Sequence, residues 1–208
     1  NCKEVSGINK SKLKVVKDTY LVGNYSINCK GNLIDLSTPK IMSIVNTTPD
    51  SFYDGGKYNT IEKALQKVEL DISNNTTFID VGGYSSKPNA NHVTEEEELK
   101  RTIPTIEAIL NSFPKAVISI DTLRGKVAKE AIEAGAAMIN DISAFELDKE
   151  MINTLSTYKV PYVLMHMQGT PQNMQENPCY KNVVKDIIQF LSNKISKLKT
   201  FGIHDIII

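Results

Sequence analysis

No charge of one sign dominates this chain. Its 208 residues carry 24 Lys plus Arg and 24 Asp plus Glu, a formal net charge of zero. A protein that holds nucleic acid through phosphate electrostatics needs a basic excess, so that class is excluded. Cysteine is scarce: Cys2, Cys29 and Cys179 are far apart, odd in number and form no CxxC pair. They read as reduced thiols in a cytoplasmic protein, not as a disulfide or zinc framework. Long apolar runs are missing too. The start of the chain is polar and lysine-rich, without the apolar core of a secretory signal. Nothing approaches the roughly 20 residues of a membrane span. There is also no GxGxxG after the first strand-like run, which weakens a dinucleotide-binding reading. What remains is the composition of an ordinary globular protein, with enough chain for one core.

Residues 1–25 carry weak pattern and are expected to be an N-terminal extension; residues 26–208 are expected to form one domain. Ile27-Asn28-Cys29 and Leu33-Ile34-Asp35-Leu36 flank Lys30-Gly31-Asn32, the pattern of a β-hairpin. Short β-rich runs then recur at 41–45, 77–82, 116–121, 136–142, 160–165 and 203–208. Helical spacing separates most of them. Ile61, Ala64, Leu65, Val68 and Ile72 form one stripe, and Leu99, Ile103, Ile106 and Leu110 another. Thr94-Glu95-Glu96-Glu97 is a capping signal for the second, and Pro104 is expected to kink it. Val127 to Ile132 stops at Gly135, residues 148–158 form a short helix, and Val183 to Leu198 a long one. Such alternation means a parallel sheet covered by helices, either an open doubly wound sheet or a closed (β/α)8 barrel.

The strand ends carry the chemistry. Successive runs end at Asn46, at Asp80-Val81-Gly82-Gly83-Tyr84-Ser85-Ser86-Lys87, at Asp121, at Asn140-Asp141 and at His166. In a barrel these ends converge on one mouth, where active sites lie. Each residue alone has a plainer reading. Asp121 before Thr122 resembles a helix cap, and a lone His166 resembles a satisfied buried histidine. His92 and His204 are given no role, and Glu95–Glu98 reads as a solvated helix start. Taken together, Asn46, Ser86, Lys87 and the amides near Gly82-Gly83 suit phosphate oxygens. The Asn46 carbonyl also suits Mg²⁺, which commonly shares a diphosphate with few protein ligands. Asp121 and Asn140 offer a planar donor and acceptor set for a flat heterocycle, with Met165 as a polarisable floor.

These segments closely resemble the dihydropteroate synthase family. "IVNTTPDSFYDGG" resembles its first signature, the most specific one, and "IDVGGYSSKP" its second. "SIDT", "MINDIS" and "LMHMQGTPQNMQ" are similar to its third, fourth and fifth strand ends. The resemblance runs from about Ile27 to Ile208. It implies a (β/α)8 TIM barrel, with about six strands in this chain after an N-terminal hairpin. The activity it implies is condensation of 6-hydroxymethyl-7,8-dihydropterin diphosphate with 4-aminobenzoate to 7,8-dihydropteroate and diphosphate. By that resemblance Asn46 holds Mg²⁺ and diphosphate, and Ser86 touches the diphosphate or aminobenzoate side. Asp121 and Asn140 hold the pterin, and Met165 lines its pocket. The loops 47–57 and 83–91 close over the site, with Pro49 and Phe52 near the aminobenzoate ring. Asp121 also stabilises the cationic methylene left when diphosphate departs. A homodimer is compatible with this reading.

Two departures stand out. Lys87 occupies a position where the family often has Arg, and it lacks Arg's bidentate fork. The Asp-Pro-Gly, Ser-Arg-Lys and Arg-x-His stretches that follow in the family are not among these residues. The chain opens on Asn1 and closes on Asp205-Ile206-Ile207-Ile208, which looks like the inside of a strand. The expectation is a fragment that does not form dihydropteroate by itself. Two other readings compete: a methyltetrahydrofolate-type methyltransferase, which needs no diphosphate loop, and a non-catalytic pterin-binding module.

Overall fold

The computed structural model describes residues 25–47, 57–84 and 93–208. The expected extension therefore lies almost wholly outside the described residues, as do Pro49, Phe52, Ser86 and Lys87. A two-stranded antiparallel hairpin, β1 (Ser26–Cys29) and β2 (Asn32–Asp35), comes first. Its turn places Lys30 and Gly31 at φ 52° and 85°, and glycine accepts that left-handed region without strain. Six parallel strands follow: β3 (Met42–Asn46), β4 (Phe78–Gly82), β5 (Val117–Asp121), β6 (Met138–Asp141), β7 (Tyr162–Leu164) and β8 (Ile206–Ile207). Between them lie α1 (Lys57–Ser73), α2 (Glu95–Ser112), α3 (Gly125–Glu133), α4 (Glu150–Tyr158) and α5 (Val183–Thr200).

Each strand is hydrogen-bonded to the next in chain order, β3 through β8. A doubly wound sheet reverses its order at a switch point. The sequential order is that of a barrel wall, which resolves the two architectures in favour of the barrel.

Alternation along each strand sorts side chains between two environments. Val45, Ile79, Val81, Ile118, Ile120, Ile139, Tyr162 and Leu164 pack under the helices in the main core. Residues of opposite parity face the lumen. At its base Phe78, Met138, Met42 and Val117 pack on Ile27 and Cys29 of the hairpin. The Asn28 amide donates to Asp205 just before β8, at 2.9 Å, and Lys30 Nζ donates to the Ile132 carbonyl, at 3.1 Å. The hairpin is thus a plug in the barrel floor, outside its wall.

The caps follow local chemistry. Thr94 Oγ1 accepts from the Glu97 amide at 3.2 Å, and Asn182 Oδ1 from Lys185 at 3.0 Å. Gly135, at φ 120°, ends α3 as expected. Pro104 does not end the helix: α2 runs as one element through it. Pro104 lies on the exposed side, where the carbonyl freed by its missing N–H can be solvated.

Gly125 marks a close contact between helices. A Cβ there would run into the backbone of Glu150 and Met151 at the start of α4. Its N–H donates to Asp148 Oδ2 at 2.7 Å, and its carbonyl accepts from Thr154 Oγ1 at 2.9 Å. Gly125→Ala must push the two helices apart, so we expect a loss of about 1–3 kcal/mol. Urea unfolding checks this, and an unchanged midpoint would mean that the contact yields freely.

Candidate active site

The lumen changes from apolar to polar along the strands. Met42, Phe78 and Val117 form one level near the plug. Ile44, Asp80, Ser119 and Met138 form the next, and Asn46, Gly82, Asp121, Asn140 and Val163 lie at the C-terminal ends. The structure therefore brings Asn46, Asp121 and Asn140 to one level of one mouth. Met165 is half-buried just past the end of β7, one residue beyond Leu164, which packs under the helices.

Gly82 sits between Asn46 and Asp121. A Cβ at Gly82 would lie 3.5 Å from Asn46 Oδ1 and 3.4 Å from Asp121 Oδ2. Its missing side chain leaves a cradle between two oxygens. Gly83 is held differently: a Cβ there would come within 2.8 Å of Thr102 Cγ2, and its carbonyl accepts from Arg101 at 3.3 Å.

Asp121 is not the helix cap its neighbour Thr122 suggested. The N-cap of α3 is Arg124, and Asp148 accepts the Gly125 N–H. Burial pushes the Asp121 carboxyl up to about 8, with further repulsion from Asp80, Glu98 and Asp141. It is a carboxyl poised to change charge near neutrality. Asp141 faces the other way. It accepts from Ser143 N and Oγ at 2.7 Å, Phe145 N at 2.8 Å and Tyr162 Oη at 2.7 Å. Those bonds hold the turn after β6, where Ala144 and Phe145 both have φ 52°. His166 packs edge-on against Phe190, with centroids 4.8 Å apart, and near Tyr180. It is half-buried rather than buried.

One expectation is overturned. Glu98 does not belong to a solvated helix start; it is fully buried. It pairs with Arg124 and accepts from Thr122 Oγ1 at 2.6 Å. Arg124 also donates to the Val93 carbonyl at 2.6 Å and lies 5.7 Å from the Tyr84 ring centroid. Glu95, Glu96 and Glu97 do keep solvent contact. The run of four glutamates hid Glu98, because its burial depends on a partner 26 residues away. Asp80, named only as part of the second strand end, and Ser119 were given no role. Their signal was a polar residue at a lumen position of an otherwise apolar strand.

Among the described residues, no group of three or more His, Cys, Asp or Glu could hold a metal ion. The described residues thus offer no cation site made by protein alone, and the Asn46 oxygen beside the Gly82 cradle is of a kind that suits a cation sharing a diphosphate. An apolar cavity of about 400 Å³, lined by Ile72, Phe113, Pro114 and Val117, lies near the opposite strand ends and away from this chemistry. Among the described residues, no helix is long and apolar enough to cross a membrane.

Comparison with known proteins agrees with this geometry. The pterin binding enzyme family model matches residues 42–208. A dihydropteroate synthase from Haemophilus influenzae is 43% identical over 170 residues, covering 82% of this chain and 61% of the relative. The structure of Xanthomonas albilineans dihydropteroate synthase with 4-aminobenzoic acid superposes with a TM-score of 0.78 at 35% identity, covering 88% of this chain and 65% of that one. The same enzyme in complex with 7,8-dihydropteroate gives 0.73 at 34% identity, covering 86% and 62%. The chain spans about three fifths of the length of the curated relatives it matches.

Proposed function

Because this chain belongs to the pterin-binding enzyme family, we propose that the protein carrying it is a dihydropteroate synthase, a cytoplasmic transferase that joins 6-hydroxymethyl-7,8-dihydropterin diphosphate to 4-aminobenzoate. The observation that carries this reading is the single level formed by Asn46, the Gly82 cradle, Asp121 and Asn140 at the lumen mouth. Asp121 and Asn140 hold the pterin edge, and Met165 lies against its face. Asn46 would donate its Nδ2–H to a diphosphate oxygen and turn its carbonyl oxygen to the Mg²⁺, which when bound supplies charge neutralisation of the leaving group. Ser86, Lys87, Pro49 and Phe52, which lie outside the described residues, are assigned by resemblance to the diphosphate and aminobenzoate.

The bond that breaks joins the pterin methylene to a diphosphate oxygen. Positive charge then develops on the methylene, next to the Asp121 carboxyl. That carboxyl is held protonated by burial and by neighbouring carboxylates. The fraction that reacts is the one whose carboxyl has already released its proton to solvent, and its stabilisation of the methylene strengthens as positive charge arrives there. The aniline nitrogen of 4-aminobenzoate needs placement in line with the methylene more than it needs a base.

Asn46→Ala tests the diphosphate end. In calorimetric titrations of the whole protein, we expect Mg²⁺-dependent diphosphate binding to weaken by about tenfold, a typical loss for one ionic hydrogen bond. Unchanged binding and metal dependence would take Asn46 out of the site. Pterin binding with no response to diphosphate in the parent protein would favour the methyltransferase reading instead.

A further inference from the structure

Below the mouth, Asp80 and Ser119 are register neighbours on β4 and β5. Asp80 is 4% exposed and Ser119 fully buried. A buried carboxyl costs stability unless it is paired, and no cation pairs with Asp80 among the described residues. Burial accordingly pushes its proton affinity up, opposed by Ser119 and Asn140. Its firm bond comes from Asn140 Nδ2, 2.9 Å from Asp80 Oδ2, across 60 residues of chain. Ser119 lies close enough to ease the burial. Yet neither Ser119 Oγ nor Asp80 Oδ1 has a well-formed hydrogen bond among the described residues.

The asymmetry of that carboxyl has a consequence for Asn140. An amide that commits its nitrogen to a carboxylate turns its oxygen away from it. Asp80 Oδ2 remains an acceptor in either charge state, because the single proton a carboxyl can hold has Oδ1 and the Ser119 hydroxyl to go to. We infer that Asp80 is a positioning residue: it locks the Asn140 amide so that its carbonyl oxygen faces the lumen, and this corner selects a heterocycle edge that donates an N–H. Without Asp80 the two amide orientations are nearly equivalent in shape, and the pocket loses its preference for a donor. This inference rests on the pterin reading above.

The test exchanges the pair. Asn140→Asp alone sets two carboxyls against each other and should weaken binding of 6-hydroxymethyl-7,8-dihydropterin diphosphate with Mg²⁺ on the order of 100-fold. The double exchange Asp80→Asn with Asn140→Asp restores one amide and one carboxylate, with an acceptor oxygen still facing the lumen. It should bind within about tenfold of the parent, a single hydrogen bond's worth of affinity. Asp80→Asn alone should raise the pterin Kd by about tenfold and leave the KM for 4-aminobenzoate unchanged. A merely structural role would move both. An exchange that binds no better than Asn140→Asp, or that does not fold, overturns the inference while leaving the pterin reading intact. Failure of the parent itself to bind the pterin overturns both.

Discussion

Asp121→Asn is expected to lower kcat for dihydropteroate formation by about 10²–10³, the usual loss when a preorganised electrostatic partner of the transition state is removed. The substitution preserves shape and hydrogen-bonding capacity and removes only the capacity for negative charge. The same change should stabilise the folded protein in alkaline solution. Asp121 is held at about 8 in the fold against an ordinary 3.8. Between those values the unfolded chain has released the proton and the folded chain keeps it. Stability of the parent therefore falls as pH rises through that window and levels off above it. The variant lacks this loss, so its melting temperature should match the parent's near pH 4 and exceed it at pH 8. For activity, kcat/KM of the parent should rise with pH through an acid limb near 8, and that limb should vanish in the variant. A variant with intact kcat would reduce Asp121 to a passive part of the lumen wall.

Arg124→Met is expected to cost about 3–5 kcal/mol, because it strands a charge in the interior. Glu98 has 1% of its side chain exposed and Arg124 15%, so solvent screens neither well. Even with Arg124 and Thr122 opposing it, burial already holds the Glu98 carboxyl above its ordinary range. Removing the guanidinium raises it further. The variant then loses stability as pH climbs through that higher value, so its deficit should be larger at pH 8 than at pH 5. Pairing it with Glu98→Gln should recover much of the loss, since a buried pair is worth little beyond the cost of breaking it. Chemical unfolding of the single and the paired variant at both pH values measures this. Equal deficits at the two values would mean that Glu98 finds another partner. Arg124 also reaches the Val93 carbonyl and the Tyr84 ring. The single variant should therefore disturb the second loop as well as the fold.

What the chain determined by itself was local. Apolar strands ending in Asn46, Asp121 and Asn140 follow from short β-rich runs that each close on a polar residue. The Thr94 cap, the Gly135 stop and the hairpin turn follow from side-chain chemistry within a few residues. Those features placed the six wall strands to within a few residues and named three of the groups that meet at the mouth. The pairing of Glu98 with Arg124, the bond from Asn140 to Asp80 and the close approach at Gly125 were decided only by the tertiary structure. Each depends on atoms 23 to 60 residues apart coming into contact. Burial sets the cost of a charge, and burial is a property of the assembled barrel. A glutamate in a run of four therefore carries no mark of which one will be taken out of water.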